Sequence, residues 1–279
     1  MDNGQRGWGA GVSARPIITL MTDFGDGDAY VGAMKGAILS IVPDAAVVDI
    51  AHGLAPFNLL SAAYLLTTYF SEFPPGTAHI AVVDPGVGGA RDCLAVKVAE
   101  RYLLLPDNGI AGMALDAAGD GWEARRIANP ALMAPKVSPT FHGRDVFAPA
   151  AARLVSGFPF SEVGPATFRI ERLKAASVSI APGSVSGAVV HIDRFGNFIT
   201  NVMDEHIDRA GGKAFFVTIG EYTIMGLSET YESRPPGELL AYVGSSGRLE
   251  IGVSRGRASD IVGKPVGSPV SVRSRPSAL

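Results

Sequence analysis

The sequence predicts a two-domain α/β protein, with an N-terminal α/β domain built on a mostly parallel sheet and a C-terminal all-β barrel domain. In the first half, strand-like apolar runs alternate with helix-like runs, as in sheets covered on both faces. Near residue 175 the composition shifts to serine, glycine and proline, and short β-like runs follow. A chain of 279 residues has room for two modest domains.

The N-terminal half begins with two strand-helix units. The predicted elements are a strand over 17–20, a helix over 30–41, a strand over 46–50, a helix over 59–71 and a buried strand over 79–83. Pro43 stops the first helix, and Asn58 is placed to cap the second. An acid, Asp84, directly follows the last of these strands, where such sheets gather their ligands.

The later elements divide the chain. We expect two strands between 93 and 105, a turn at 106–109, a helix over 146–154, and short strands over 188–192, 214–219 and 248–253. The predicted division is a disordered tail over 1–15, an α/β domain over 16–174, a linker over 175–183 and a barrel over 184–279. A small sandwich is the alternative for the last part.

Composition narrows the class of function. The net charge of −3 gives no basic surface, so neither nucleic acid nor an anionic membrane is expected as a partner, and a small molecule fits better. The most apolar helical stretch, 57–70, is too short to cross a bilayer. The single cysteine, Cys93, is expected as a packed thiol, consistent with a reducing cytoplasm.

The loop over 22–28 holds three carboxylates after the first strand. Such groups can accept hydrogen bonds from a sugar diol or an ammonium, and Asp23 is the strongest candidate. For Asp26 and Asp28, turn formation and helix capping are the stronger explanations. The spacing lacks the further oxygen ligands and late glutamate of a calcium loop.

Asp84, Arg91 and His142 form a second candidate set. An aspartate, a guanidinium and an imidazole can together hold and polarise one water. Each has an ordinary alternative: a turn acid, a surface charge, and a packed or capping imidazole. No His-Glu-x-x-His pair or cysteine cluster occurs, so no metal is expected.

The second domain offers two further candidates. Asp193, Phe195 and Asn197 suit a ligand with an ammonium and a flat heterocycle, although, taken alone, a β-turn with Phe195 in the core explains them better. The loop 244–247 could form an anion nest around Ser245 and Ser246, or a flexible turn. Neither a Gly-x-Gly-x-x-Gly nor a Walker loop is present.

Several blocks, in order along the chain, carry a family resemblance. They are Asp23-Phe24-Gly25, Val48-Asp49-Ile50 with His52 and Pro56, Val83-Asp84-Pro85-Gly86-Val87-Gly88, Pro106-Asp107-Asn108-Gly109, Phe141-His142-Gly143-Arg144-Asp145, Asp193-Arg194-Phe195-Gly196-Asn197 and Ser245-Ser246-Gly247. From about residue 16 to 272, the chain resembles the S-adenosyl-L-methionine hydroxide adenosyltransferases, adenosine-forming hydrolases related to fluorinase and chlorinase.

The resemblance implies a homotrimer with each active site between the N-terminal domain of one subunit and the C-terminal domain of its neighbour. It implies no cofactor, since S-adenosyl-L-methionine is the substrate. It assigns Asp84, Arg91 and His142 to the water. The implied substrate contacts are Asp23 and Phe57 at the ribose, Asp28 and Asp193 at the ammonium, Phe195, Asn197 and Tyr231 at the adenine, and Ser245 and Ser246 at the carboxylate.

Three positions can be compared with fluorinase to ask whether the chain resembles the hydrolases or the halogenases. Fluorinase has a tyrosine at the position matching Asp84 and a halide-contacting serine at the position matching Gly143, so the chain resembles the hydrolases. Ser246 stands where fluorinase has an arginine. Because that cationic side chain is missing here, we expect backbone N–H groups to make most of the contact with the substrate carboxylate. The alternatives are a halide-dependent adenosyltransferase and a non-catalytic protein that binds adenosyl ligands.

Overall fold

The structure, a computed structural model, describes residues 15–211 and 215–274. Residues 1–14, which hold nearly all of the predicted tail, lie outside this range. The first half folds as a seven-stranded sheet flanked by helices. Its elements are β1 (Ile17–Thr22), α1 (Tyr30–Leu39), β2 (Ala46–Ala51), α2 (Leu59–Tyr69), β3 (Ala78–Val82), β4 (Cys93–Val98), β5 (Arg101–Pro106), α3 (Ala111–Ala118), β6 (Glu123–Arg126), α4 (Ala148–Val155) and β7 (Ala166–Thr167).

The sheet is mixed, so the prediction of a mostly parallel sheet was wrong. In the order β2-β1-β3-β5-β4-β6-β7, the pairs β1–β2, β1–β3 and β3–β5 are parallel. The remaining three pairs are antiparallel. The change of direction occurs at the two-residue turn between β4 and β5, Ala99-Glu100, which can only join antiparallel strands.

The helices cover both faces of this sheet. On one face, Met34 and Ile38 of α1 pack with Ala151 of α4, all fully buried. On the other face, Leu66 of α2 packs with Ala114 of α3. The predicted cap of α2 is present, with the Asn58 side chain accepting a hydrogen bond from the Ser61 N–H at 3.1 Å. Helix α3 was not predicted.

The second half folds as an antiparallel, nearly closed barrel-like sheet. Its elements are β8 (Ser179–Ala181), β9 (Ser184–Ile192), β10 (Phe198–Met203), α5 (Asp204–Arg209), β11 (Phe215–Ile219), β12 (Tyr222–Met225), β13 (Leu239–Val243), β14 (Arg248–Val253), α6 (Ala258–Val262) and β15 (Pro269–Ser274). The strand order is β12-β11-β15-β9-β10-β14-β13, with β8 beside β9. The stretch 175–183, predicted as a linker, therefore contains β8.

The two halves pack through α2 and β9. The Tyr64 ring stacks on the His191 ring at 5.3 Å between centroids, and the Ser61 hydroxyl donates to the Val190 carbonyl at 3.3 Å. Within the ranges 15–211 and 215–274, no helix is both long enough and apolar enough to cross a membrane.

Candidate active site

A cavity of about 260 Å³ lies at the carboxyl ends of β1 and β3. Because parallel strands end at the same sheet edge, the loops that follow β1, β2 and β3 meet there. A fourth segment, 140–143, closes the cavity. Its lining residues are Asp23, Phe24, Pro56, Phe57, Val82, Asp84, Val87, Thr140, Phe141, His142 and Gly143.

Asp84, Arg91 and His142 are joined directly by hydrogen bonds. Arg91 Nε donates to Asp84 Oδ1 at 3.1 Å, and Arg91 Nη2 donates to Asp84 Oδ2. Nη2 also contacts His142 Nδ1 at 2.8 Å. The Asp84 and Arg91 side chains are only 4% and 10% exposed, so this ion pair is shielded from water.

Arg91 also donates to a residue that the sequence did not single out for the site. Its Nη1 lies 2.9 Å from Cys93 Sγ, and that sulfur lies 3.6 Å from His142 Nδ1. Burial raises the pKa of the Cys93 thiol, which is therefore neutral at ordinary pH. Cys93 packs as expected, but it packs against the guanidinium.

Backbone packing brings His142 to Asp84 across 58 residues of chain. Gly88 has φ +76°, and a Cβ there would lie 2.3 Å from the Pro139 carbonyl, so only glycine allows this approach. The 138–145 segment is held by Asp145, which is buried, accepts from the Ser138 N–H and pairs with Arg144. One π-helical turn, Gly143–Phe147, then leads into α4.

The hydrogen bond from Arg91 fixes the protonation of His142. A guanidinium can only donate, so Nδ1 of His142 accepts and its ring proton sits on Nε2. Burial, and next the charge of Arg91, lower the pKa of His142 below its usual value of 6.5. Asp84 and its neighbours raise the pKa of Arg91 against the opposing effect of burial. The neutral imidazole is thus the stable form.

Asp23 and Phe57, which also line the cavity, contact each other. Asp23 Oδ2 accepts a hydrogen bond from the Phe57 N–H at 2.8 Å. Phe57 has φ +65°, which is strained for an aromatic residue, and its ring is 66% exposed. The contact leaves the second oxygen of Asp23 free of protein hydrogen bonds within the described chain.

His52 ties the loop after β1 to the end of β2. Its Nδ1 lies 2.8 Å from the Thr22 hydroxyl, and its Nε2 lies 3.0 Å from Asp49 Oδ1. The His52 carbonyl accepts from the Gly25 N–H at 2.8 Å. Both ring nitrogens are thus engaged in holding Asp23 at the cavity.

Three aromatic rings beside the cavity were not predicted as site residues. Phe24, Tyr30 and Phe141 pack edge to face or tilted, with centroids 5.3–6.1 Å apart. Asp28, just before Tyr30, is exposed and does not line the cavity.

In the second domain, Asp193, Asn197 and Tyr231 are brought together. Asp193 accepts from the Asn197 backbone N–H at 2.8 Å and from its Nδ2 at 2.9 Å. Asn197 Nδ2 also donates to the Tyr231 hydroxyl at 3.1 Å. Phe195 does not enter the core: 74% of it is exposed, so the core-turn alternative fails for its ring.

This network extends to two residues that sequence reasoning missed. The Tyr231 hydroxyl contacts the Tyr242 hydroxyl, which donates to Glu250 Oε2 at 2.6 Å. Burial raises the pKa of Glu250, and burial with the neighbouring carboxylate raises that of Tyr242. Both residues alternate along β13 and β14 with core positions, which left no signal in the sequence.

The loop 244–247 is a tight turn between β13 and β14. Gly244 and Gly247 use their N–H groups on carbonyls within the turn. In the part of the chain that the structure describes, the N–H groups of Ser245 and Ser246 have no backbone partner, as an anion nest requires. Ser245 is exposed, whereas the Ser246 hydroxyl oxygen is buried.

The N-terminal and C-terminal candidates occupy separate surfaces of one chain. Of the residues over 15–211 and 215–274, those lining the 260 Å³ cavity all belong to the first domain. The C-terminal candidates form their own network, with the Phe195 ring turned to solvent.

Comparisons with known proteins match both domains. The model of the SAM hydroxide adenosyltransferase N-terminal domain matches residues 18–164, and that of the C-terminal domain matches residues 187–271. The chain belongs to the SAM hydroxide adenosyltransferase family. The adenosyltransferase resemblance stated from the sequence is thereby confirmed.

Individual relatives agree over nearly the full length. The (R)-S-adenosyl-L-methionine hydrolase of Thermus thermophilus is 39% identical, covering 92% of this chain and 98% of the relative. A crystal structure of an uncharacterized conserved protein from Thermotoga maritima has a TM-score of 0.83 at 33% identity, covering 93% of this chain and 100% of that one. The fluorinase of Actinoplanes is more distant, at 28% identity over 72% of this chain and 76% of the relative.

Proposed function

We propose that this protein hydrolyses S-adenosyl-L-methionine to adenosine and L-methionine, with water attacking C5′ of the ribose in line with the C–S bond. The observation that carries the proposal is that Asp84 and His142, which both line a cavity, are joined by hydrogen bonds to Arg91. Asp23 and Phe57 line the same cavity. The hydrolase name of the Thermus relative, over nearly its whole length, supports the same reaction.

The chemistry of the sulfonium decides which groups the enzyme needs. The sulfur leaves as part of a neutral thioether, so the enzyme needs no acid to protonate it. Water is a weak nucleophile, so the enzyme needs a positioned base to accept its proton and groups that orient it toward C5′. We therefore propose that the reaction uses no cofactor and no metal.

Asp84 is the proposed base. His142 Nδ1 already accepts from Arg91, and Nε2 carries the ring proton, so the neutral imidazole has no free lone pair in the ring plane. Each carboxylate oxygen of Asp84 keeps one lone pair beyond its bond to Arg91. In this scheme His142 donates to the water, Arg91 fixes both partners, and Asp84 accepts the proton.

The remaining assignments concern substrate binding. We propose Asp23 and Phe57 for the ribose, Asp28 and Asp193 for the ammonium, and Phe195, Asn197 and Tyr231 for the adenine, with Ser245 and Ser246 at the carboxylate. The exposed rings of Phe57 and Phe195 support a homotrimer in which a neighbouring subunit covers each site. The proposed location is the cytoplasm, which suits the single free thiol.

Incubation of the protein with S-adenosyl-L-methionine in ¹⁸O-water tests the reaction. We expect adenosine labelled at its 5′ oxygen, together with unlabelled methionine, in chromatography coupled to mass spectrometry. Unlabelled adenosine would contradict attack of water on C5′. Intact substrate after prolonged incubation would instead favour a protein that only binds adenosyl ligands.

The substitution Asp84→Asn tests the base. It removes the acceptor while keeping the size of the side chain, so we expect kcat to fall about 10²- to 10⁴-fold. Asp92→Asn is the matched control, since Asp92 is half exposed and contacts Arg126 at 4.0 Å. Turnover by Asp84→Asn at the wild-type rate would remove Asp84 from this role.

A halide-using reaction is the second candidate, favoured by the more distant similarity to fluorinases. A side chain at Gly143 has little room here, because its Cβ would lie 3.1 Å from Met34 Sδ. The same incubation with 1 M chloride separates the two reactions. 5′-Chloro-5′-deoxyadenosine would support the halide reaction, and adenosine alone the hydrolysis.

A further inference from the structure

A second, larger cavity of about 640 Å³ lies between the two domains of the chain. The first domain contributes α3 and the segment that follows β7. The second domain contributes β10, α5 and the start of β14. Its polar lining residues are Asp116, Arg172, Ser177, Asn201, Glu205, His206 and Arg248.

Arg248 is the unusual member of this lining. It is 8% exposed. Within residues 15–211 and 215–274, its guanidinium makes neither a hydrogen bond nor a salt bridge. Instead, the guanidinium lies over the face of the Tyr64 ring, 5.7 Å from the ring centroid. By contrast, the guanidinium of Arg91, which is also largely buried, is paired with Asp84.

A buried guanidinium without a counter-charge is costly. Arginine stays protonated in proteins, so it cannot escape the cost by losing its proton. Buried arginines are accordingly found paired, and contact with an aromatic face offsets only part of the lost hydration. Burial also lowers the pKa of Arg248, in the direction that an unpaired cation requires.

The acids around the cavity do not supply this counter-charge. Asp116 lies 3.3 Å from Arg172, and its side chain is 69% exposed. Glu205 is 74% exposed and lies 3.8 Å from His206 Nε2. Both are at the solvent side, where their charges are screened.

His206 provides a second donor next to Arg248. Its Nδ1 accepts from the Met203 N–H at 3.1 Å, so the neutral ring carries its proton on Nε2. Burial lowers the pKa of His206, and the charges of Arg209 and Arg248 add to this effect. The ring is thus a neutral donor in the lining of the same cavity.

We propose that this interdomain cavity binds a small oxyanion, a carboxylate or a phosphate group, with Arg248 as its counter-charge and His206 Nε2 as a second donor. The cavity has room for more than the anion, and Met113, Leu173 and Val178 give it an apolar wall. The ligand is therefore an oxyanion carried on a small organic molecule, or the free ion. The inference is independent of the hydrolysis proposed above.

Calorimetric titration of the full chain with inorganic phosphate, and separately with acetate, at constant ionic strength in chloride tests the site. We expect saturable binding of at least one of the two anions. The anion that binds shows whether the site prefers a phosphate or a carboxylate. Arg248→Gln should weaken it at least tenfold, whereas Arg209→Gln, which removes an exposed arginine of α5, should not. Absence of saturable binding to the wild type, or equal binding to Arg248→Gln, would overturn the proposal.

Melting temperatures give a second measurement. Above the Kd, each tenfold rise in the concentration of the anion should raise the Tm of the wild type by about 2–4 °C. In chloride alone, Arg248→Gln should melt no lower than the wild type, because it removes an uncompensated charge. A melting temperature well below the wild type in chloride would mean that the chain already satisfies Arg248. If Arg248→Gln does not fold, the proposal requires that His206→Ala weaken anion binding severalfold in the same titration.

Discussion

Arg91 organises the candidate active site at the level of single residues. Its donors contact Asp84, Cys93 and His142, and because each contact uses an N–H of arginine, each partner must accept. The guanidinium thereby selects a charged carboxylate and a neutral imidazole. Asp84 and His142, the two side chains of the set that could accept a proton, become inequivalent for this reason.

This inequivalence predicts how the rate depends on pH. The pKa of His142 is lowered, so the ring stays neutral from alkaline pH down past 6.5. Below its lowered pKa the ring becomes a cation whose Nδ1–H faces Arg91, and kcat should fall. We expect a flat wild-type kcat profile between pH 8 and 6.5 with a loss at lower pH. His142→Gln, which keeps a neutral acceptor, should lack this acid loss; an unchanged acid limb in that variant would assign it to another group.

Phe57 combines strain with exposure, as residues at binding sites often do. Phe57→Ala and Phe57→Gly both remove the ring, so both should raise KM for S-adenosyl-L-methionine. They differ in backbone cost, because only glycine adopts φ +65° without strain. Phe57→Gly should therefore be more stable than Phe57→Ala by about 1 kcal/mol in urea unfolding. Equal stabilities would show that this backbone is not strained in the free protein.

At the level of elements, the turn that joins β4 to β5 carries the same kind of strain. Ala99 and Glu100 have φ of 45° and 59°, values that two-residue hairpins reach most readily with Asn-Gly. Both side chains are exposed, and in the described part of the chain the backbone carbonyls of the two residues accept hydrogen bonds from Arg101 and Gly76. The turn is thus free to change sequence.

Replacing Ala99-Glu100 with Asn-Gly should stabilise the protein. The two new residues adopt left-handed backbone more readily, and we expect a gain of roughly 1 kcal/mol, or about 2–4 °C in Tm. Glu100→Gln is the control, since it alters charge but not backbone preference. A melting temperature of the Asn-Gly variant equal to that of this control would contradict the strain argument.

The same turn explains what the sequence could and could not predict. The buried strands β1 and β3 and the cap at Asn58 follow from local patterns, and the structure has them. The direction of β4 depends on a turn without the usual hairpin residues, so the parallel expectation failed. Helix α3, with its alanines and a glycine, lacks a cap and clear start signals.

The candidate active site, too, could be predicted from the sequence only in part. Asp23 and Asp84 follow from their places after strands, because strand ends form the ligand edge of such a sheet. The meeting of Arg91 with His142 depends on the close approach of Gly88 to Pro139, a contact between distant segments that no local pattern encodes. Tyr242 and Glu250 were missed because their partners come from other strands.

For the whole molecule, the buried histidines make stability fall with acidity. His79 is fully buried, contacts the Thr19 hydroxyl at 2.8 Å, and has a pKa lowered to about 3, chiefly by burial. Between pH 6.5 and 3 the unfolded chain binds a proton that the folded protein does not. Stability is therefore lost as pH falls below 6.5, by about 1.4 kcal/mol per pH unit for this residue.

Thr19→Val with His79→Leu removes the titrating imidazole together with its hydroxyl partner, so neither of these two groups is left without the other. Urea unfolding at pH 6.5 and 5.0 should show the wild type losing roughly 2 kcal/mol more than the double variant. His142, His191 and His206, whose pKa values burial also lowers, act in the same direction in both proteins. Equal losses would mean that His79 is protonated in the folded protein at pH 5.

The separation of the two candidate sets within one chain bears on assembly. Asp84 and His142 line a cavity of the first domain, while Asp193 and Phe195 belong to another surface. If sites form between subunits, a chain defective in the first set and a chain defective in the second can together build an intact site. Sites within a chain cannot be restored in this way.

Co-refolding of Asp84→Asn chains with Asp193→Ala chains tests this assembly. Each variant alone should be nearly inactive. In randomly mixed trimers half of each kind of domain is intact, so we expect about a quarter of wild-type activity. Mixing the two proteins after separate folding is the control, because subunits that do not exchange cannot share sites. Light scattering should give a mass three times that of the chain, and a mixture that gains no activity as a trimer would locate each site within one subunit.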